Sequence, residues 1–324
     1  MPGHDGGSGL IWGLDFTPVG PKPVGNCHSP QSGGFRWLHM NLADNDTRRW
    51  IESAPLLNAA VRELLLSPDT HQRALVEADT VACVLHDFQR DFDLRDTGKV
   101  GALRIALTPS LMVTARLHPL RSPDIIRQRL ARAAPGTGGP QALDLLVSSI
   151  AESIGDICRV LNTDVQRAED ALLLGHFPPS AQDLLGIRRR LAQIHRLLSD
   201  MRGVFQRLER DEELAPGLLP TVEKLVQHLH ALDADIVGTQ AQVRLLREEL
   251  DIQAAQRTNQ NLYILSIVTA LMLPATLVTG IFGMNTGGML FAGTTSGTLL
   301  ALGIVFAAAI ATFLLLRWMG FMRL

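Results

Sequence analysis

Between Arg257 and Arg317 the chain carries no charged side chain. Two apolar runs lie in that stretch, residues 262–284 and 299–316, and Gly283-Met284-Asn285 closes the first. A bilayer core is about 30 Å thick and takes about 20 apolar residues to cross as a helix. At about 1.5 Å per residue, the first run reaches roughly 35 Å and the second roughly 27 Å. The sequence therefore predicts a membrane protein with two transmembrane helices at its C-terminal end and most of its mass outside the bilayer.

The charged residues set the orientation. Arg244, Arg247 and Arg257 precede the first span, Arg317 and Arg323 follow the second, and the loop between them has no charge. Positive residues stay on the cytoplasmic side. Both termini are thus expected in the cytosol, with the loop facing outward. Tyr263 and Trp318 sit at the cytosolic ends of the spans, where amphipathic rings favour the headgroup region. The polar, glycine-rich start MPGHDGGSG lacks the basic residues and apolar run of a signal peptide, so the N-terminal part is expected to remain cytosolic.

Lys and Arg number 30 against 32 Asp and Glu, which argues against nucleic acid or anionic lipid as a charge-matched partner. Cys27, Cys83 and Cys158 lie far apart and form neither a disulfide framework nor a CxxC knuckle. They read as reduced, buried thiols. The Gly-rich break at residues 134–140 resembles a phosphate loop only in its glycines, since no Lys-Ser/Thr follows.

Short apolar or alternating runs at residues 10–16, 35–40, 80–88, 101–107 and 111–116 read as strands. Residues 46–52, 58–66 and 123–133 read as helices. After the break the pattern is helical throughout. One helix covers 141–176 and stops at Pro178-Pro179; Ser180 caps a second that reaches about Glu213. From Pro220 no proline occurs until Pro274, and residues 220–284 read as one helix roughly 97 Å long. Such a helix needs neighbours along its length, in a bundle or an oligomer.

The fold class is thus an α+β membrane protein. It has a cytosolic α/β domain (1–135), a cytosolic helical hairpin (141–219) and a stalk helix (220–284) whose last part (262–284) is the first transmembrane helix. An outward loop (285–298), a second transmembrane helix (299–316) and a cytosolic tail (317–324) complete it.

A three-four spacing runs through the first span: Asn259, Leu262, Leu265, Thr269, Leu273, Thr276, Gly280, Gly283. This face carries the smaller and more polar residues. Polar groups in hydrocarbon seek a partner or water. For a single Thr, back-bonding to its own helix is the plain reading; a whole face of such residues in an oligomer reads as a pore lining. Two spans per chain cannot enclose a path for water, whereas several copies around an axis can. Residues 258–316 contain no acid, histidine or cysteine, so this path offers hydroxyl, amide and carbonyl oxygens between apolar constrictions. That suits a cation that keeps most of its water, as magnesium does, and not a stripped zinc ion, which prefers His, Cys or carboxylate.

Gly283-Met284-Asn285 at the end of the first of two terminal spans, after Pro274-Ala275-Thr276-Leu277-Val278-Thr279-Gly280-Ile281-Phe282, resembles the CorA family of divalent-cation transporters. Nearly the whole chain takes part in the resemblance. Thr286-Gly287-Gly288-Met289, Trp37-Leu38-His39 and Ala54-Pro55-Leu56-Leu57 are similar to the zinc-transporting ZntB branch. Met284 within the signature and Met289-Leu290 after it depart from that branch. The resemblance implies a funnel-shaped homopentamer in a bacterial inner membrane. It implies a pore lined by Asn259, Leu262, Leu265, Thr269, Leu273, Thr276 and Gly280, and an outer mouth at Gly283, Met284 and Asn285, with Asn285 holding the ion through metal-bound water. The second span would face lipid. The cargo it implies is zinc, with magnesium, cobalt or nickel as the alternative; no bound cofactor and no catalytic role are expected.

Along the stalk, Asp235, Glu248 and Glu249 fall near the same seam, and rings of them would gather cations. The plain alternative is a solvated stalk face. His228 and His230 are two apart on a helix and do not chelate together; His39 and His86 read as core or surface histidines. A second class of function, a membrane-anchored coiled-coil scaffold or sensor without transport, uses the same helices.

Overall fold

A computed structural model of the chain describes residues 9–32, 34–90, 98–130, 137–174, 180–284 and 297–318. The apolar runs of the N-terminal part become strands β1 (Leu10–Thr17), β2 (Gly20–Pro23), β3 (Phe35–Asn41), β4 (Arg73–Glu77), β5 (Thr80–Phe88), β6 (Val100–Leu107) and β7 (Leu111–Arg116). They join in one sheet of order β2-β1-β3-β7-β6-β5-β4, in which β3 and β7 run parallel and every other pair antiparallel. Helices α1 (Asn45–Ser53), α2 (Ala59–Leu66) and α3 (Ser122–Leu130) belong to the same part. Then come α4 (Gly139–Leu173), α5 (Ala181–Glu209), α6 (Leu219–Gly283) and α7 (Gly297–Trp318). Residues up to Arg247 form one unit and those from Glu248 a second; α6 contributes to both.

The central strands are apolar without strict alternation because both faces of the sheet are covered. Trp37, Leu85, Leu103, Ile105 and Met112 pack on one face with α3, α4, α5 and the first half of α6. Leu38, Met40, Val84, Ala106 and Val113 pack on the other with Ile51 of α1 and Val61 and Leu65 of α2. Each Val, Leu, Ile or Met among them, fully buried, contributes roughly 1.5–3 kcal/mol.

Local signals fix the helix starts. Asp44 accepts a hydrogen bond from the Asp46 N–H at the start of α1, and Asn58 accepts one from the Val61 N–H (2.9 Å) at the start of α2. Ser180 and Asp183 cap α5 reciprocally, as a capping box. Strands β2 and β4, absent from the sequence reading, are the two edges of the sheet. Pro21 and Pro23 of β2 are tolerated there because an edge strand leaves N–H positions unpaired. A two-residue turn at Ala78-Asp79, both with positive φ, joins β4 to β5.

Buried charge is placed with partners. Asp15 and Arg36, opposite each other on β1 and β3, form a two-pronged pair at 2.6 and 2.8 Å. Burial opposes ionisation of Asp15, but the Arg36 guanidinium and the Ser32 N–H outweigh it and hold the carboxyl below its usual range. His39 is buried, stacks on Trp12, and has its two ring nitrogens against Thr114 Oγ1 (2.9 Å) and Arg116 Nε (3.1 Å). Desolvation, with Arg116 adding to it, pushes its pKa down to about 3, so it is a neutral core histidine. In the helical part, buried Asp233 of α6 accepts from His195 Nδ1 (2.6 Å) and Arg202 Nη1 (3.2 Å) of α5. The same Arg202 nitrogen lies 3.0 Å from Nδ1 of His230.

Two predictions come from these groups. Asp87 is fully buried at the end of β5 and accepts from the Phe88 N–H (2.8 Å) and the Ser122 N–H (2.9 Å), which caps α3. Desolvation raises its pKa to about 6, against the pull of those donors and of Arg121. A carboxyl raised on folding contributes stability that is whole below its unfolded pKa of 3.8 and lost as pH rises through about 6. Relative to Asp87→Asn, which does not titrate, the wild type should therefore lose about 3 kcal/mol between pH 3.5 and 7 at about 1.36 kcal/mol per unit. Unfolding followed by tryptophan fluorescence in the two proteins across that range checks this; parallel pH profiles would refute it. Asp233→Ala should cost about 1–3 kcal/mol, because it strands Arg202 and His195 without an acid while both retain some solvent. Thermal unfolding beside Asp235→Ala, an exposed neighbour, is the measurement.

Candidate functional site

Leu, Ile, Val, Ala and Met carry α6 through Gly283 without a charged residue after Arg257. By length and composition it is the one described helix able to cross a membrane; the apolar part of α7, Leu302–Trp318, is shorter. Helix α7 is nonetheless helical from Gly297 to Trp318, two residues beyond the expected run at each end.

The serine and threonine hydroxyls in this part of α6 bond back to their own helix. Ser266 donates to the Leu262 carbonyl (2.8 Å), Thr269 to Leu265 (2.8 Å), Thr276 to Met272 (2.9 Å) and Thr279 to Ala275 (3.0 Å). The plain reading of the individual threonines therefore holds. It also has a chemical consequence. A hydroxyl whose proton is committed to a carbonyl offers the outside only its oxygen lone pairs. The threonines of the face thus present acceptors, and acceptors are what the water shell of a cation requires.

Asn259, Leu262, Leu265, Thr269, Leu273, Thr276, Gly280, Gly283 and Met284 are all exposed. Leu265 keeps 61% and Leu273 63% of their surface. The less exposed positions, Ile267, Ala270, Leu271, Pro274, Ala275 and Val278, form another stripe. At about 100° per residue that stripe lies on the side of the helix opposite the seam. On α7 the less exposed positions are Val305, Ala308, Ala309, Thr312 and Leu316, again at helical spacing. Pro274 lacks an N–H and so leaves the Ala270 carbonyl without its helical donor. Asn285 and residues 286–296 lie outside the described residues, so the expected mouth is represented by Gly283 and Met284 alone.

Asp235, Glu248 and Glu249 are exposed on α6. Glu249 accepts from Gln253 at 3.4 Å, a solvated contact one turn away. Asp235 lines a shallow cleft with Gly155, Cys158 and Asn162 of α4. Burial pushes the Cys158 thiol up to about 11, and the Asp235 carboxylate acts in the same direction. Cys27 and Cys83 are buried free thiols, and burial alone lifts Cys83 to about 12. Among the described residues, no three His, Cys, Asp or Glu side chains converge as a metal site would require. The sequence reading missed Asp233; its signal was an acid on the stripe of Leu229, Ile236 and Val243, all three buried.

A family model described as CorA-like Mg2+ transporter protein matches residues 32–319. The zinc transport protein ZntB of Yersinia enterocolitica serotype O:8 / biotype 1B is 25% identical over 279 residues, which cover 84% of this chain and 82% of that protein. Among solved structures, full-length CmaX aligns with a TM-score of 0.79 at 20% identity over 97% of this chain and 99% of its own. The complete CorA magnesium transporter from Methanocaldococcus jannaschii aligns with a TM-score of 0.78 at 17% identity, covering 96% and 98%. At these identities the two structures speak for the fold. The family match runs from the sheet to α7, and the chain belongs to the CorA family of divalent metal-ion transporters.

Proposed function

We propose that this chain transports zinc across a bacterial inner membrane as a homopentamer whose copies of α6 surround the path, with both termini in the cytosol. The observation that carries the reading is the uncovered seam of α6, where the Thr269 and Thr276 hydroxyls present only acceptor lone pairs, opposite its less exposed stripe. Turned toward a shared axis, the Thr269 and Thr276 oxygens and the Asn259 amide accept hydrogen bonds from the water shell of the ion. Leu262, Leu265 and Leu273 form apolar constrictions that raise the barrier to charge. Helix α7 is the second span and forms the lipid-facing ring. Gly283, Met284 and Asn285 form the mouth, where the Asn285 side chain accepts from metal-bound water. Asp235, Glu248 and Glu249 form acidic rings that raise the local cation concentration. The ZntB relative, aligned over most of both chains, supports zinc as cargo.

Magnesium is the second reading, favoured by Met284 in the signature and by a seam without soft ligands. A scaffold or sensor built on the same helices is the reading from outside transport.

Flux of zinc and of magnesium into proteoliposomes, each with and without a pH gradient, separates the three. Zinc flux above magnesium is the expected result, and no flux of either ion would leave the scaffold. Asn285→Ala should abolish most flux while the tryptophan unfolding transition stays in place; wild-type rates would remove Asn285 from the mouth. Leu273→Ser should wet the constriction and raise leak about tenfold, a barrier change near 1.4 kcal/mol. Leu271→Ser, on the opposite stripe, should leave leak unchanged. Equal leak from both would mean that the axis faces another side of α6.

A further inference from the structure

A cavity with a volume of about 920 Å³ lies far in sequence from the seam, in the sheet unit. It opens at one end of the sheet, where β5 finishes near His86 and Gln89, β6 begins and β7 finishes near His118; α5 adds Arg196 and Asp200. The cation among these that needs most explanation is Arg104. It stands in the middle of β6, opposite Val84 and Ala115, on the face of the sheet that carries α1 and α2. Its side chain is buried to 6% exposure, and one nitrogen donates to the Ser67 carbonyl (2.7 Å). Its Nε is buried and has no hydrogen-bond partner, and the guanidinium makes no ion pair among the described residues.

The same sheet shows how an internal arginine is otherwise accommodated. Arg36 is met by both oxygens of Asp15 and by two carbonyls, of Ser29 and Pro30. Arg104 instead faces more positive charge. Burial lowers its pKa, and Arg73 and Arg48 lower it further, with only Asp69 acting against them. Asp69 is held by Arg73 and His71, both at 2.6 Å. Arg48 donates to the Leu42 carbonyl (2.9 Å) and, like Arg196, has no ion pair among the described residues. The lining thus sets three arginines and two histidines against one carboxylate, Asp200, which forms no ion pair with Arg196 one turn away. An uncompensated buried guanidinium costs several kcal/mol unless an anion completes it.

We propose that this cavity binds a small phosphorylated organic molecule, its phosphate groups held by Arg104, Arg48 and Arg196. Guanidinium forks bind phosphate through parallel N–H donors, and several arginines together match a multiply charged group. The space exceeds what inorganic phosphate needs and falls within the usual 300–1,000 Å³ or so of small-molecule sites. Leu42, Leu66, Leu117, Val100 and Leu197 supply apolar wall for the organic part. The site belongs to the sheet unit and does not depend on which ion crosses the membrane.

The test uses full-length protein in nanodiscs of zwitterionic lipid, free of divalent metal, with ADP, pyrophosphate and adenosine as probes in isothermal titration calorimetry. ADP should bind, with adenosine at least about tenfold weaker and pyrophosphate between them. Arg196→Ala and Arg48→Ala, both exposed positions, should each weaken ADP by about tenfold. Arg49→Ala, paired with Asp46 outside the cavity, should leave it unchanged. Arg104→Met should abolish binding and, by removing an uncompensated buried charge, raise the unfolding temperature. Should that variant not fold, the two exposed arginines still decide. No ADP binding at millimolar concentration, equal binding of adenosine, or wild-type affinity in both exposed variants would overturn the proposal. Calorimetric heat that requires anionic lipid in the nanodisc would reassign the site to a headgroup and overturn it as well.

Discussion

One helix of this protein meets two different surroundings, and most of the structure depends on that change. Up to Arg247, α6 follows the rules of a soluble protein: Val222, Leu225, Leu229, Ile236 and Val243 are buried on one stripe, and charged residues occupy the rest. After Arg257 the charges stop, and large apolar residues stand exposed on all but the stripe of Ile267, Leu271 and Val278. In water such a helix would leave an apolar surface far larger than soluble monomers show. In lipid the same apolar surface is matched to its surroundings. Its serine and threonine hydroxyls are satisfied by carbonyls of the same helix, so they enter hydrocarbon without an unpaired donor.

The soluble unit handles polarity in the opposite manner. There, burial strengthens electrostatics and every internal charge must be answered. Asp15 has Arg36, Asp233 has His195 and Arg202, and Asp87 has two backbone N–H donors. His39 is made harmless by being kept neutral between Thr114 and Arg116. Against this background an internal arginine with no acid stands out as a group awaiting something that the chain does not supply.

How much of this was legible in the sequence follows from which interactions are local. Residues 35–40, 80–88 and 111–116 were readable as strands because strands covered on both faces become continuous apolar runs. The start of α5 was readable because Ser180 satisfies backbone groups within its own turn. Strands β2 and β4 were not, since Gly20-Pro21-Lys22-Pro23 and Arg73–Glu77 are only half covered and owe their pairing to neighbours already in place. The seam of α6 was legible as a period in small and polar residues. Asp233 was passed over because an acid on a buried stripe acquires meaning only when Arg202 and His195 arrive from another helix. Arg104 and its cavity were invisible for a similar reason: β5, β6, β7, α1 and α5 converge there only in three dimensions.

The choice of ion depends on a question of symmetry. The proposed path, lined by alcohol oxygens and leucines, does not distinguish zinc from magnesium by ligand softness, since neither ion need shed its water there. Any preference for zinc must come from nitrogen, sulfur or carboxylate groups outside that path. Within one chain no three such side chains converge among the described residues. In the proposed pentamer this is no obstacle, because a ring needs only one residue per copy to bring several carboxylates to an axis. Exposed single acids such as Glu248 and Glu249 have the form such a ring requires, whereas Asp233, fully engaged inside its own subunit, does not. On the proposed pentamer, selectivity is a property of the assembly, to which each chain brings isolated carboxylates on an otherwise solvated helix face.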